Sequence, residues 1–116
     1  MTDYKVIKTN VVPGLTEVRF YQETVGHIRE RHPEVPIELP SIEGALASAI
    51  SDPTHVEKSY GGSYVFVDAN STNRSGDPFR VAVKPVEEGS GRVRTAYFAS
   101  TDHEPEIIWR SNKNAK

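Results

Sequence analysis

The second half of the sequence contains a series of short strand-like stretches, and this pattern restricts the fold more than any other feature. In Phe79–Val86, apolar residues alternate with a set that includes Arg80 and Lys84. A period of two is typical of a strand with one buried face. Three further stretches are also predicted to be strands: His55–Tyr60, Ser63–Asp68, which has an apolar centre, and Arg92–Ser100. Because turn residues such as Gly61-Gly62 separate them, the pattern predicts a β-meander.

The first half contains two short extended pieces and then changes to a helical period. The extended pieces are Tyr4–Ile7 and Glu17–Phe20. After them, Val25, Ile28 and His32 follow one another at i, i+3 and i+7, which is one face of a helix. Pro33 disfavours helical geometry at the residue before it, so this helix is predicted to end at Arg31 or His32.

A second helix is predicted from Ser41 to Ser51, because Ser41 suits an N-cap position and an apolar, mostly alanine stripe follows it. The prolines between the helices, Pro33, Pro36 and Pro40, indicate a loop. Two helices followed by a β-meander predict the α+β class. Six apolar positions on these elements are predicted to be buried: Ile28, Leu46, Val65, Val67, Val81 and Val83.

Length and composition exclude several classes of protein. With 116 residues, the chain is predicted to form one domain over residues 1–116. It has no cysteine, which excludes disulfides, thiolate zinc sites and cysteine nucleophiles. A net charge of −2 and a pI of about 6.1 argue against non-specific coating of nucleic acid. The sequence shows neither a membrane-spanning apolar run nor a signal-peptide core, so we expect a cytosolic protein unless a carrier protein delivers it.

Two histidines are candidates for proton transfer, because the pKa of imidazole lies near neutral pH. His27 and His32 lie five positions apart, roughly 140° around a helix. They therefore do not form the i, i+4 pair that holds a metal, and neither a metal nor a cofactor is predicted. Each histidine also has a structural interpretation, His27 as a surface residue and His32 as a residue that bonds a free carbonyl at the helix end.

The last two predicted strands are basic on balance, with four cations against two glutamates. The cations are Arg80, Lys84, Arg92 and Arg94. Such a set is either a solvated sheet face or a shallow pocket that binds a phosphate. Thr95 and Tyr97 share one face of the last strand, where their hydroxyls either lie in the core or orient a ligand. Lys58 is either a solvent-exposed side chain or a further phosphate contact.

The order of several motifs resembles that of a known family. The motifs are His27-Ile28-x2-Arg31-His32-Pro33-Glu34, a helix ending in Asp52-Pro53, Arg80-Val81-Ala82-Val83-Lys84, Gly91-x-Val93-x-Thr95-Ala96-Tyr97, and Ile108-Trp109. Their order and spacing resemble the phage-associated domains of the barnase–EndoU–colicin–RelE (BECR) nuclease superfamily. The resemblance covers residues 18–109 and leaves residues 110–116 as a predicted flexible tail.

This resemblance implies both a fold and an activity. The implied fold is two N-terminal helices packed on a four-stranded antiparallel sheet. The implied activity is metal-independent cleavage of RNA, often tRNA or mRNA, as in toxins and phage-encoded proteins. A cognate inhibitor or antitoxin protein is the expected partner besides the RNA substrate. No cofactor is implied.

The resemblance also implies roles for the candidate residues. His27 would act as general base or acid, and His32 would be a second proton-transfer group. Cations would stabilise the charge on the phosphoryl oxygens. The implied catalytic residues are His27, His32, Arg80, Thr95 and Tyr97. The implied substrate-binding residues are Lys58, Lys84 and Arg94.

Two other classes of function stay open from the sequence. One is a non-catalytic binding module on the same fold, for example a phage accessory protein that binds a host protein. The acidic pI and the lack of a basic surface run motivate it. The other is a small-molecule enzyme with its site between sheet and helices, although no residue pattern indicates a particular substrate.

Overall fold

The computed structural model describes residues 4–100 and 105–111. Within these residues it contains seven strands, three α-helices and one 3₁₀ turn, Tyr60–Gly62. The strands are β1 (Tyr4–Val12), β2 (Leu15–Tyr21), β3 (His55–Lys58), β4 (Tyr64–Thr72), β5 (Pro78–Glu87), β6 (Gly89–Phe98) and β7 (Glu106–Arg110). The helices are α1 (Gln22–Arg31), α2 (Glu34–Glu38) and α3 (Ile42–Ser51). Of the predicted tail 110–116, the last five residues lie outside the described residues.

The seven strands form one curled sheet, a half-barrel, in the order β1-β2-β6-β5-β4-β3-β7. β2 and β6 pair in parallel, and the other neighbours are antiparallel. The prediction of two N-terminal helices packed on a four-stranded antiparallel sheet is therefore wrong. Two strands precede the helices, the described residues contain a third helix, and the sheet is larger and mixed.

The structure contains a β1–β2 hairpin that the predicted topology lacks. What look like two short extended pieces in the sequence become strands of nine and seven residues. They are joined at Pro13-Gly14, where Gly14 has φ of 83°, a conformation that favours glycine. Val18 and Phe20 on β2 are buried. Because β2 pairs along the edge of β6, these side chains join the core cluster of the sheet, whereas an isolated hairpin would leave them exposed.

A glycine allows β2 and β5 to flank β6 closely. A Cβ atom at Gly91 would lie 2.9 Å from Cγ1 of Val83 and 3.1 Å from Cδ1 of Leu15. Both distances are shorter than ordinary contacts between carbon atoms. A larger residue at this position would have to displace the side chains of Val83 and Leu15, so the close packing of β2 and β5 on either side of β6 favours glycine here.

The three helices cover one face of the sheet. α1 packs against β2 and β6, and α3 packs against β1, β4 and β5. α3 begins as predicted, with the Ser41 hydroxyl accepting a hydrogen bond of 3.1 Å from the Gly44 amide. α2 forms where the prolines predicted a loop, and Pro36 fits because the first amides of a helix have no intrahelical acceptor. Within the described residues, no helix is both long and apolar enough to cross a membrane.

The predicted burial of the core is confirmed. Ile28, Leu46, Val67, Val81 and Val83 are 0% exposed, and Val65 is 8% exposed. They do not all lie on the same side of the sheet. Val81 and Val83 join the apolar side chains of the helices in one cluster, whereas Val65 and Val67 lie outside that cluster.

The second face of the sheet, opposite the helices, is polar. Val67, Arg80 and Tyr97 are Cα partners across β4, β5 and β6, so their side chains share this face. Lys84 lies on the same face, because it is an even number of residues from Arg80 on β5. The Cα partner of Lys84 on β6 is Arg92. We call this surface, which carries Arg80, Tyr97, Lys84 and Arg92, the open face.

Candidate functional site

A cleft of about 640 Å³ opens on the open face, beside β3, β4, β5 and β6. The side chains that matter for its chemistry are Glu57, Lys58, Tyr60, Arg80, Tyr97 and Glu106. Three of them, Lys58, Arg80 and Tyr97, are residues for which the sequence predicts a role. They come from three separate strands, so only the folded sheet brings them together.

A buried ion pair forms the inner wall of the cleft. Nη1 of Arg80 donates to both carboxylate oxygens of Glu57, at 2.9 and 3.0 Å. The two side chains are only 6% and 8% exposed. Nε of Arg80 donates to the carbonyl oxygen of Ala99 at 2.8 Å. Nε2 of His55 lies 2.8 Å from Oε2 of Glu57, within hydrogen-bond distance of the same carboxylate.

This ion pair fixes the guanidinium of Arg80 and offsets its charge. Two buried charges lose their hydration, and each then depends on the other for compensation. Arg80 is therefore held in one orientation at the cleft, with a carboxylate directly against it. Lys58, by contrast, is exposed at the cleft and makes no hydrogen bond or ion pair within the described part of the chain. Its Cα partner Tyr64 packs on the helical core cluster, so by alternation Lys58 leaves β3 on the side opposite Glu57, at the rim of the cleft.

An imidazole from the first helix reaches the same site. His32 is the C-cap residue of α1, and its ring centroid lies 5.7 Å from that of Tyr97. The pairing of β2 with β6 ends at Arg92, so α1 runs beside the remaining part of β6 and brings His32 to Tyr97. Nδ1 of His32 lies 3.8 Å from a carboxylate oxygen of Glu34, and its side chain is 33% exposed.

Other candidate residues lie away from the cleft wall. His27 is exposed on α1, and the described residues offer it no hydrogen bond, ion pair or ring contact. Thr95 is half-buried on β6, next along the strand face from Tyr97, but it does not line the cleft. Lys84 and Arg94 are exposed outside the cleft. The structure thus joins His32, Tyr97, Arg80 and Lys58 around one site.

Sequence reasoning missed the carboxylate that organises the site. Glu57 and its neighbour His55 lie on the first strand of the meander, and the prediction assigned neither a role. The available signal was the alternation itself, because residues two apart on a strand share a face. An acid two residues after a histidine, on a strand of the same predicted meander, could have been proposed as the partner of Arg80.

Carboxylates also neutralise cations at the far end of the sheet. The pKa of Glu17 is lowered, chiefly by the hydrogen bond that Lys8 donates to it, with Ser90 and Arg19 contributing. Nη2 of Arg19 lies 2.9 Å from Glu87. Burial opposes the charged form of Arg19, but Glu87 and its other neighbours outweigh that effect and raise its pKa. The cations of β1 and β2 are therefore largely compensated.

The described residues contain no cluster of three or more His, Asp or Glu side chains arranged to hold a metal ion. What the cleft does contain is an imidazole beside its rim, an aromatic hydroxyl, one exposed amine and a buried guanidinium–carboxylate pair. These groups can transfer a proton, orient a phosphate and stabilise negative charge. A scan of this chain against models of known protein families, a search of curated proteins and a search of solved structures each return no match.

Proposed function

We propose that the protein is a ribonuclease that acts in the cytosol and cleaves RNA in this cleft without a metal. The observation that supports the proposal most is the contact between His32 and Tyr97 at the cleft that Arg80 also lines. An imidazole from the first helix thereby contacts the ring of a tyrosine that lines the cleft together with a buried guanidinium. Metal-free cleavage of a phosphodiester can use an imidazole for proton transfer and cations for charge stabilisation.

The reaction needs one proton removed, one proton donated and charge stabilised in between. A base takes the proton of a ribose 2′-OH, and the 2′-oxygen forms a bond to the adjacent phosphorus. The bond from phosphorus to the 5′-oxygen breaks, and an acid protonates that oxygen. The products are a 2′,3′-cyclic phosphate and a 5′-hydroxyl, so atoms and charge balance without an external reactant.

His32 makes one of the two proton transfers in this proposal, because its partly exposed ring contacts Tyr97 of the cleft lining, whereas His55 is held against Glu57; solvent water makes the other transfer. Lys58 stabilises the extra negative charge on the phosphoryl oxygens, since it is exposed at the cleft. Tyr97 orients the phosphate or stacks on a base. Arg80 lines the cleft in the orientation that Glu57 imposes, and so preserves the shape of the phosphate-binding wall.

The experiment measures cleavage of single-stranded RNA in excess EDTA by the wild-type protein, His32→Gln and His27→Gln. We expect the wild type to cleave, and His32→Gln to lose about 10²- to 10⁴-fold in rate, the usual contribution of a proton-transfer group. His27→Gln is expected to lose much less, because His27 contacts none of the cleft residues. Circular dichroism spectra of both variants should match the wild type.

Other outcomes have definite meanings. A large loss in His27→Gln with an active His32→Gln would transfer the proton-transfer role to His27, as the family resemblance implies. No cleavage by the wild-type protein on any RNA would contradict the ribonuclease. Cleavage that both variants retain would place the chemistry outside this site.

One observation favours a second candidate, a non-catalytic binding module. Among the described residues that line it, the cleft carries two cations, Lys58 and Arg80, and two carboxylates, Glu57 and Glu106, so the formal charges of these residues cancel. A balanced cleft suits a neutral ligand or a protein segment as well as it suits a phosphate. Retrieval of one stable protein partner by the immobilised protein, together with absence of RNA cleavage, would favour this candidate over the ribonuclease.

A further inference from the structure

The open face continues beyond the cleft as a second cationic surface. Lys84 lies four residues from Arg80 on β5, which corresponds to about 13 Å along a strand. Its Cα partner on β6 is Arg92, and Arg92 in turn pairs with Arg19 of β2. Partners in a sheet share a face, so these side chains lie on the same side of the sheet as the cleft.

The guanidinium of Arg92 is stacked on an aromatic ring. Its central carbon lies 4.3 Å from the centroid of the Tyr21 ring. Tyr21 is itself 5.3 Å from the ring of Tyr4, at an interplanar angle of 45°. A planar cation over an aromatic face is held in one orientation by the ring quadrupole. Because Arg92 is an exposed residue, the side of its guanidinium away from Tyr21 is available to a ligand.

Lys84 and Arg92 are also uncompensated, unlike Arg19 and Lys8 on the neighbouring strands. Arg19 binds Glu87 at 2.9 Å, and Lys8 binds Glu17 at 3.3 Å. Neither the Lys84 nor the Arg92 side chain makes a hydrogen bond or ion pair to any residue between 4 and 100 or between 105 and 111. Two adjacent cations without counter-charges attract an anion, and a guanidinium plane attracts a flat one.

We propose that Lys84, Arg92 and Tyr21 form a binding platform for single-stranded RNA that leads into the cleft. Lys84 contacts the sugar–phosphate backbone, and a base stacks on the outer face of the Arg92 guanidinium. Aromatic and guanidinium planes interleaved with cations are the arrangement that single strands use. This inference rests on the proposed ribonuclease, and it specifies that the substrate is a single strand extending past the cleaved bond.

The platform lies on the same face as the cleft, which is why we favour RNA over an acidic polypeptide. A bound strand that occupied both would lie along β5, from Arg80 towards Lys84. A duplex presents its bases only at groove edges and offers none for stacking on Arg92. An acidic polypeptide could use the charges of Lys84 and Arg92 but would gain nothing from the stacked guanidinium plane.

The experiment measures binding of a labelled 2′-O-methyl RNA oligonucleotide by fluorescence anisotropy at several salt concentrations. This probe cannot be cleaved, because its 2′-oxygen has no proton. The test variant combines Lys84→Gln with Arg92→Gln, and the matched control combines Arg29→Gln with Arg74→Gln, two exposed cations elsewhere. We expect the test variant to bind about tenfold more weakly and its logarithmic salt dependence to fall by about 2, whereas the control stays near the wild type.

A further variant, Arg92→Lys, separates charge from stacking. It keeps the cation but loses the plane, so the salt dependence should stay near the wild type while affinity falls. Equal affinities for the wild type and the Lys84→Gln, Arg92→Gln variant would overturn the platform. Displacement of the oligonucleotide by polyglutamate as readily as by unlabelled RNA would also overturn it, in favour of an acidic polypeptide.

Cleavage assays distinguish failure of the platform from failure of the ribonuclease. With a dinucleotide substrate, which is too short to reach Lys84 from the cleft, the double variant should lose far less kcat/KM than it loses with a longer RNA. With a longer RNA, its KM should rise about tenfold while kcat stays unchanged. Variant-sensitive binding without any cleavage would leave the platform standing and contradict the ribonuclease. Cleavage of long RNA with an unchanged KM would contradict the platform alone.

Discussion

Arg80 and Lys84 lie on the same strand and the same face, yet their surroundings differ completely. Arg80 is 5% exposed and bonded to Glu57 and to the carbonyl of Ala99. Lys84 is exposed, and its Cα partner is another cation, Arg92. The difference arises from the neighbouring strands: Arg80 lies where β3 supplies an acid, and Lys84 lies beyond the end of β3 and β4.

This contrast separates two uses of a basic side chain. A buried, paired guanidinium contributes shape and rigidity to the cleft, but its charge is already compensated. An exposed, unpaired amine contributes little to folding and keeps its charge for a ligand. Counting four cations on the hairpin, as the sequence allows, treats these two cases as one.

Among the variants that test this contrast, the one that removes the Glu57 carboxylate from Arg80 should lower the stability most. Glu57→Ala leaves a buried guanidinium without its carboxylate, and the free energy of unfolding should fall by about 3–5 kcal/mol. Urea denaturation followed by circular dichroism measures this change. In the same experiment, Lys84→Ala should change the free energy of unfolding by no more than about 0.5 kcal/mol.

The two variants together test whether burial decides the role. Equal, small losses of stability would show that the Glu57–Arg80 pair is dispensable for folding. A large loss in Lys84→Ala would show that Lys84 has a structural role, and the platform would lose its main cation for the same reason.

A smaller effect is expected where a pair is exposed. Nζ of Lys5 donates to Glu43 at 2.7 Å, and this hydrogen bond, with a second one from Gln22, lowers the pKa of Glu43. A carboxylate whose pKa is lower in the folded protein contributes stability above its unfolded pKa and loses that contribution as the pH falls through the folded pKa. Lys5→Gln should therefore raise the pKa of Glu43 towards its ordinary value.

A pH titration of the Glu43 side-chain carbonyl signal by NMR measures that change. The stability of Lys5→Gln should differ from the wild type at neutral pH more than at strongly acidic pH, where Glu43 is protonated in both. An unchanged pKa in Lys5→Gln would show that the pair is not formed in solution. Screening by solvent and salt makes this exposed pair weaker than the buried pair of Glu57 and Arg80.

The sequence predicted what depends on local patterns and missed what depends on distant partners. Alternation identified the strands of the meander, and Ser41 capped a helix as predicted, because such signals lie within a few residues. The parallel pairing of β2 with β6 joins residues far apart in sequence, and no local pattern specifies it. The two-helix, four-stranded fold was wrong for that reason.

The candidate site shows the same division. The residue types that could transfer protons and bind phosphate were recognisable: Tyr97, Arg80 and Lys58 line one cleft, and His32 contacts the ring of Tyr97. Which of two histidines on α1 would reach that cleft depended on where β2 ends beside β6. The burial of Arg80 depended on Glu57, a residue on another strand. Neither relation is encoded in spacing along the chain.

We propose that the open face of the sheet, and not the helical side, is the surface that binds RNA. The most direct test is an NMR titration of the ¹⁵N-labelled protein with a 2′-O-methyl RNA oligonucleotide. The account predicts that the amide signals of Lys58, Tyr97, Lys84 and Arg92 shift while those of α3 stay in place. Shifts confined to α3 and the helical side, with an unchanged open face, would contradict it.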